Sequence, residues 1–188
     1  MAQAKTLTQA ELDQVLRYCA NTRYKARNRA MVLTSFWSGM RVGEISALRV
    51  CDVQHEDGTI KSEVRLSADQ TKGRYGRTVF INDKLRTELA QFLANTKIKN
   101  KQQPLFYTEK AEGFSANSLT QWFHWAYKKA GISGASSHSG RRTFITNLAS
   151  KGIGVRVLAS LAGHRSIAVT QVYIDVNDDM KRRAVELV

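Results

Sequence analysis

The chain has 188 residues, of which 43% are hydrophobic, so it can bury one core and is short of the size at which chains divide into two domains. Its 29 Lys and Arg residues against 16 Asp and Glu residues give a formal net charge of +13, which suits a polyanion and makes nucleic acid the expected partner. No apolar run approaches the ~20 residues of a membrane-spanning helix, and the N-terminal MAQAKTLTQAE is too polar for a secretory signal, which argues against a membrane partner.

Most of the chain is predicted to be helical. Apolar residues at helical spacing, with cap signals at their ends, predict helices over residues 8–20, 26–36, 42–48, 84–94, 115–130, 139–151, 155–162 and 167–173. In the first helix Thr8 and Glu11 have the pattern of a capping box. In the fifth, Leu119, Phe123 and Tyr127 form an apolar stripe that we expect to face the core.

Two short strands are predicted between the third and fourth helices. The sequence there is β-branched and partly alternating over residues 59–66 and 78–81. Between them, TKGRYGR combines two glycines with three cationic residues and is typical of a turn, so Lys72 should lie on or beside it. We therefore expect one domain over residues 1–188, mainly α with a small antiparallel β-sheet (α+β).

Six polar residues spaced along this framework have the chemistry needed to attack a phosphodiester: Arg41, Lys72, His138, Arg141, His164 and Tyr173. A phosphodiester carries one negative charge and its transition state gains another, which suits two arginines on the non-bridging oxygens. His138 and Arg141 lie three positions apart at the start of a helix, so both can address one phosphate. Tyr173 can be the nucleophile, with nearby cations to assist a phenol whose pKa is ordinarily near 10.

In order and spacing, these residues resemble the catalytic domain of the tyrosine recombinase (phage integrase) family. The C-terminal third has H-x-x-R, G-H and T-x-x-Y in family order, with Tyr173 nine positions after His164. The segment SGMRVGEISALRVCDV is similar to the family's G-x-R-x-x-E-x-x-x-L-x-x-x-D, which implies that Glu44 is a supporting acid and Asp52 is structural. The resemblance extends from about Leu7 to about Met180.

The resemblance implies a role for each site residue. Lys72 matches the hairpin lysine that protonates the departing 5′ oxygen, with Arg74 and Arg77 as competitors and a simple backbone contact as the alternative. His138 would be a general acid or base, and His164 would donate a hydrogen bond to the phosphate. The further arginines expected to contact DNA are Arg74, Arg77, Arg142 and Arg165.

The implied reaction is site-specific recombination of double-stranded DNA through a 3′-phosphotyrosyl intermediate, a free 5′ hydroxyl and a Holliday junction. The implied assembly is a homotetramer on two DNA sites, with accessory DNA-bending proteins as further partners, in a prokaryotic cytoplasm. No cofactor and no metal are expected, because the phosphotyrosyl bond keeps the energy of the broken linkage and the sequence has no carboxylate cluster for two metal ions. Cys19 and Cys51 have no metal-ligand spacing and are expected to be reduced thiols.

Two alternatives to recombination stay open: DNA relaxation similar to that of a type IB topoisomerase, and a non-catalytic DNA-binding module. The sequence gives neither the DNA target nor the outcome, which can be integration, excision or inversion.

Three features depart from the family pattern. Gly140 stands where leucine is commoner, and Arg142 stands where many members have a histidine. Family members usually carry a separate N-terminal helical domain, so the chain is either a natural single-domain member or an excised catalytic fragment. The residues after Tyr173 include an apolar spacing that could pack on this domain or on a neighbour: Met180, Ala184 and Leu187.

Overall fold

The computed structural model describes residues 4–71, 75–110, 112–174 and residues 182, 185 and 186. The helices in chain order are α1 (Gln9–Ala20), α2 (Lys25–Ser38), α3 (Val42–Ala47), α4 (Val50–Val53), α5 (Asp83–Ala94), α6 (Ala116–Lys129), α7 (Ser139–Ser150), α8 (Val155–Ala162) and α9 (Ile167–Gln171). The strands β1 (Glu63–Leu66) and β2 (Arg77–Phe80) lie between α4 and α5, and a 3₁₀ turn (Ala68–Gln70) follows β1. The predicted α+β fold is thereby confirmed.

Helix α1 begins at the predicted capping box. The Thr8 hydroxyl accepts a hydrogen bond from the backbone N–H of Glu11 (3.2 Å), and the Glu11 carboxylate accepts one from the backbone N–H of Thr8 (3.0 Å). These contacts satisfy two donors that the first turn of a helix leaves without a partner, so the sequence fixes where α1 starts.

The two strands form an antiparallel hairpin with one buried face. Val64 pairs with Val79 and Leu66 with Arg77. Val64, Leu66 and Val79 are buried, whereas Arg65 lies exposed on the opposite face. The loop that joins the strands contains residues 72–74, so the predicted position of Lys72 lies outside the described residues.

Helix α2 lies at the centre of the core. Residues on most of its faces are buried, including Met31, Leu33 and Phe36, and it packs against α1, α5 and α7. The stripe predicted on α6 is buried as well, with Phe123 stacked on Tyr127.

The glycine at position 140 allows α7 to approach α2 closely. A Cβ atom there would lie 2.2 Å from the Ser35 hydroxyl and 3.1 Å from the Phe36 ring, well inside van der Waals contact. The departure from leucine at Gly140 is therefore matched by the small Ser35 on the facing helix, and it draws the first turn of α7 towards the end of α2.

Two short elements were not predicted, namely α4 and the 3₁₀ turn. Elements of four and three residues are too short to show an apolar period, and side-chain hydrogen bonds hold them instead. The Asp52 carboxylate accepts hydrogen bonds from the Arg49 backbone N–H (2.8 Å) and from the Gln70 side chain (2.7 Å), which joins the two elements. In the part of the chain that the structure describes, no helix has the length and apolar character to cross a bilayer.

Candidate active site

Four of the six predicted catalytic residues, Arg41, Arg141, His164 and Tyr173, lie together where the C-terminal ends of α2 and α8 face the first turns of α3 and α7. Gly39 ends α2 in the left-handed conformation (φ +63°), and Arg41 is the N-cap of α3 two residues later. Arg141 lies in the first turn of α7, and its Nη1 donates to the carbonyl of Gly39 (2.8 Å). The end of α2 therefore places both arginines at one point.

The C-terminal end of α8 holds three guanidinium groups. Three successive carbonyls each accept a hydrogen bond from a different arginine: Leu161 from Arg77 Nη1 (2.9 Å), Ala162 from Arg141 Nη2, and Gly163 from Arg41 Nη2 (3.1 Å). The last carbonyls of a helix lack intrahelical partners and carry the negative end of the helix dipole, so they stabilise cations. The end of α8 thus orients the three side chains before any anion binds.

Glu44 is the counter-ion for two of these arginines. Its carboxylate is only 1% exposed and accepts from Arg41 Nη1 (3.0 Å), Arg77 Nε (3.1 Å) and Arg77 Nη2 (2.7 Å), and also from the Arg41 backbone N–H (2.7 Å). Burial alone would raise the pKa of Glu44, but the hydrogen bonds and charges of Arg77 and Arg41 outweigh it and hold the pKa below its usual value. Glu44 is therefore ionised at neutral pH.

Arg141 is buried without a carboxylate. Only 5% of the residue is exposed, and among the described residues no Asp or Glu lies within ion-pairing distance of it. Burial, followed by the charge of Arg41, lowers the pKa of Arg141 to about 9. The guanidinium remains charged at neutral pH, and an anion bound at this position would offset the free-energy cost of burying that charge.

His164 connects Arg141 to α9. Its Nε2 lies 2.8 Å from Arg141 Nη2, and its Nδ1 lies 2.9 Å from the hydroxyl of the fully buried Thr170. Since a guanidinium can only donate, Nε2 accepts, and the ring proton is assigned to Nδ1. Burial and the charges of Arg141, Arg41 and Arg77 lower the pKa of His164 to about 4, so the imidazole is neutral.

Tyr173 lies against this imidazole. The two rings are stacked with 5.8 Å between their centroids and 21° between their planes. The guanidinium carbon of Arg142 lies 5.3 Å from the centre of the tyrosine ring on α7's side of the site. The backbone N–H of Tyr173 donates to the carbonyl of Thr170 (3.0 Å), so the residue that holds His164 also positions the tyrosine.

Both sequence and fold match known proteins. The family model described as the phage integrase family matches residues 5–180. The chain belongs to the phage integrase family. It is 28% identical over 186 residues to tyrosine recombinase XerA of Pyrococcus furiosus, and the match covers 97% of this chain and 61% of that protein.

Solved structures share the fold of this phage integrase family chain. The crystal structure of XerA recombinase has a TM-score of 0.76 at 24% identity, over 100% of this chain and 66% of that one. The structure of XerH site-specific recombinase in a post-cleavage complex with palindromic difH substrate has a TM-score of 0.70 at 21% identity, over 96% of this chain and 51% of that one. The chain spans about 60% of the length of the curated relatives it matches.

The remaining family positions lie around the cluster or outside the described residues. His138 is exposed at the N-cap of α7, one turn before Arg141. Arg165 is exposed and lies over the ring of Tyr75 (4.5 Å to its centroid), at the rim of a cleft that also exposes Arg41. The predicted residues Lys72 and Arg74, and the spacing of Met180, Ala184 and Leu187, fall outside the described residues.

Two of the side chains predicted to contact DNA have protein partners in the structure. Arg77 was expected to contact DNA, yet its side chain is only 12% exposed and its guanidinium is bound by Glu44 and the Leu161 carbonyl. His164 was expected to donate to the phosphate, but its Nε2 accepts from Arg141, so that role requires the contact to be released and stays a prediction.

Sequence reasoning missed the partner of His164. Thr170 stood in the T-x-x-Y pattern without a role, although its position three residues before the tyrosine was the available signal. Arg142 was predicted as a DNA contact, and the structure places it against Tyr173 and the Thr6 hydroxyl (3.2 Å from its Nε). Among the described residues, no group of three or more His, Cys, Asp or Glu side chains is placed to hold a metal ion.

Proposed function

We propose that this chain is the DNA-breaking and rejoining part of a site-specific tyrosine recombinase. The observation that carries the proposal is Tyr173 stacked on His164, beside the arginines gathered at the end of α8. The relatives named above are tyrosine recombinases, and the XerH neighbour is bound to its DNA substrate after cleavage, which supports the same chemistry here.

In the proposed reaction the Tyr173 oxygen attacks a phosphodiester phosphorus, forms a 3′-phosphotyrosyl bond and breaks the bond to the 5′ oxygen. Arg41 and Arg141 bind the non-bridging oxygens, and because their orientation is already fixed, little reorganisation is needed as charge develops. Lys72 protonates the departing 5′ oxygen, and His138 accepts the phenol proton. Attack by another strand's 5′ hydroxyl on the phosphotyrosyl phosphorus rejoins the DNA and releases the tyrosine without a cofactor or metal.

The proposed substrate is double-stranded DNA, in keeping with the formal charge of +13. Exchange between two DNA sites, each cut on both strands, needs four nucleophiles, so we infer a homotetramer on two sites with a Holliday-junction intermediate. Residues 1–188 would act as one catalytic domain, associated with DNA in a prokaryotic cytoplasm and assisted by DNA-bending proteins.

The test is covalent capture from a pool of duplexes. Each duplex carries a randomised sequence around a nick placed so that the cleaved fragment diffuses away and the phosphotyrosyl adduct accumulates. The wild-type chain at low salt should give an adduct that resists SDS and selects a sequence. Tyr173→Phe should bind the same duplexes, since the ring still packs on His164, and give no adduct. Failure of the wild-type chain to form any adduct would overturn the proposal, as would an adduct formed by Tyr173→Phe at the wild-type rate.

A supercoiled plasmid that lacks the selected sequence separates recombination from the topoisomerase alternative. A recombinase should leave such a plasmid supercoiled, whereas a type IB topoisomerase would relax it. Relaxation that depends on Tyr173 but not on sequence would replace the proposed function with that alternative.

A further inference from the structure

We propose that Arg77 is a positioning residue for DNA cleavage, which acts through Glu44 to hold Arg41 in its phosphate-binding orientation. This inference rests on the proposed function. It assigns to strand β2 a part in the arginine cluster that differs from the DNA contact expected from the sequence.

The hydrogen bonds of Arg77 leave its guanidinium little capacity for a phosphate. Nε and Nη2 donate a bidentate pair of hydrogen bonds to the Glu44 carboxylate, at 3.1 and 2.7 Å, and Nη1 donates to the Leu161 carbonyl at 2.9 Å. All three nitrogens therefore already have protein acceptors, and 12% of the side chain is exposed, against 30% for Arg41. Both arginines line the cleft, and Arg41 exposes the larger part of its side chain there.

Charge balance explains why a second arginine is needed at Glu44. Each carboxylate oxygen accepts one bond from Arg41 and one from Arg77. Three guanidinium groups, including that of Arg141, and one carboxylate give the cluster a formal charge of +2, beside a neutral His164. This charge matches the two negative charges of the phosphoryl transition state. Without Arg77, Arg41 would have to neutralise the buried Glu44 alone, and its charge would no longer be available to the phosphate.

Packing at Gly163 is a second structural link between Arg77 and Arg41. The carbonyl of Gly163 accepts from Arg41, while a Cβ atom at this glycine would lie 2.5 Å from Cδ of Arg77. The Arg77 stem thus lies against the backbone that orients Arg41. Arg77 pairs with Leu66 at the end of the sheet nearest the connecting loop, so this end of the hairpin is anchored to the cluster.

The experiment separates positioning from phosphate contact by measuring cleavage and binding independently, on the nicked duplex selected by the wild-type chain. Arg77→Met is compared with Arg65→Met, which removes the same charge from the exposed face of the same hairpin. Single-turnover cleavage is measured at saturating DNA, and affinity is measured over a range of salt concentrations.

A positioning residue should affect the chemical step. We expect Arg77→Met to cleave about 100-fold more slowly at saturation, the order expected when a preorganised electrostatic partner is disturbed. Its affinity and salt dependence should stay close to those of Arg65→Met, which should cleave at the wild-type rate. Arg77→Met that cleaves normally at saturation but binds with a log-log salt slope reduced by about one would instead make Arg77 a phosphate contact.

A double-mutant cycle tests the route through Glu44. If Arg77 acts through this carboxylate, Arg77→Met should slow cleavage far less in a Glu44→Gln background than in the wild type. Equal slowing in both backgrounds would contradict the route. Arg77→Met leaves the buried carboxylate charge of Glu44 with only one arginine partner, and the double variant removes that charge. The double variant can therefore be measured if Arg77→Met alone fails to fold, as judged by circular dichroism.

Arg77→Lys provides a variant that keeps the charge. Lysine cannot form the bidentate contact with Glu44. We therefore expect Arg77→Lys to fold and to cleave DNA about 10-fold or more slowly than the wild type. Wild-type cleavage by Arg77→Lys and Arg77→Met, with an adduct from the wild-type chain, would overturn this inference alone. Absence of an adduct from the wild-type chain would overturn the proposed function and the inference with it.

Discussion

Each charged side chain of the cluster is stabilised in a different way. Glu44 is ionised because two arginines share it, whereas Arg141 has only backbone carbonyls and a neutral imidazole as partners among the described residues. A buried cation that already has a counter-ion is stabilised little by a further anion, whereas a buried cation without a counter-ion is stabilised more. Arg141 is therefore the group whose burial favours phosphate binding most, and Arg41 is the more accessible of the two proposed phosphate ligands.

The neutral state of His164 predicts a stability that falls in mild acid. Burial and the charge of Arg141 lower the pKa of His164 to about 4, whereas an unfolded histidine titrates near 6.5. Between these values the unfolded chain holds more protons, so the free energy of unfolding decreases as pH falls through this window. We expect a loss of about 1 kcal/mol between pH 7 and pH 5, discounted because the ring is only half-buried. Urea unfolding at the two pH values measures it.

The matched variants are His164→Gln and His124→Gln. His124 is exposed on α6, so His124→Gln controls for the effect of the substitution itself. His164→Gln should remove about 1 kcal/mol of the difference between pH 7 and pH 5. A His164→Gln variant with the wild-type pH dependence would mean that another group titrates in this range.

Local spacing predicted that Arg141, His164 and Tyr173 belong to one site, but not what each of them contacts. Arg141 and Tyr173 lie in short motifs whose spacing is visible in the sequence, and the structure brings their side chains to His164. Arg77 belongs to a basic turn sequence, and nothing in that sequence distinguishes it from an arginine on the surface. Its contacts with Glu44 and α8 join segments 33 and 84 residues away along the chain, and no local pattern records such pairings.

At the scale of elements, the end of α8 is the part on which the arginine cluster depends. Gly163 has φ +62°, and any side chain there would also meet the stem of Arg77. Gly152 ends α7 with a similar conformation (φ +83°), but nothing lies within 4 Å of its missing Cβ. The two positions share a backbone conformation that would strain any residue with a Cβ, and they differ in packing, so they form a matched pair.

We predict that Gly163→Ala destabilises the fold and slows cleavage, whereas Gly152→Ala does only the first. Alanine in the left-handed region should cost about 1 kcal/mol at either site. At Gly163 the clash with Arg77 should add about 1–3 kcal/mol and displace the carbonyl that holds Arg41. Thermal unfolding measures the first effect, and single-turnover cleavage of the selected duplex measures the second. Equal cleavage by both variants would show that the packing at Gly163 does not orient the arginines.

The elements themselves were largely readable from sequence because most are long enough to show a period. Helix α6 repeats its apolar stripe over fourteen residues, and α1 carries its own start signal. Helix α4 and the 3₁₀ turn are held by the Asp52 and Gln70 side chains across 18 residues of sequence, and a pairing of that kind depends on the tertiary fold.

For the whole molecule, the 29 Lys and Arg side chains are not equally available to DNA. Arg77 and Glu44 neutralise each other inside the protein, and partly exposed pairs such as Arg29 with Glu88 do so nearer the surface. The number of counterions released on binding reflects the cations that reach phosphates, not the net charge. The salt dependence should therefore be strong but correspond to fewer phosphate contacts than the number of Lys and Arg residues.

A salt titration with an unrelated duplex tests this view of the whole surface. Because a protein that neutralises Z phosphates gives a log-log slope of about −0.9Z, contacts to several phosphates predict a slope of about −4 to −8. Non-specific affinity should lie at about 1–100 μM at physiological salt. Arg165→Ala, at the exposed rim of the cleft, should make the slope about one unit shallower, whereas Arg29→Ala, whose charge is already paired with Glu88, should leave it unchanged. Fluorescence anisotropy from 25 to 300 mM salt gives both slopes. A nearly flat plot for the wild-type chain would contradict phosphate binding by this surface. Equal changes for the two variants would mean that DNA binding does not distinguish the cleft rim from the Arg29–Glu88 ion pair.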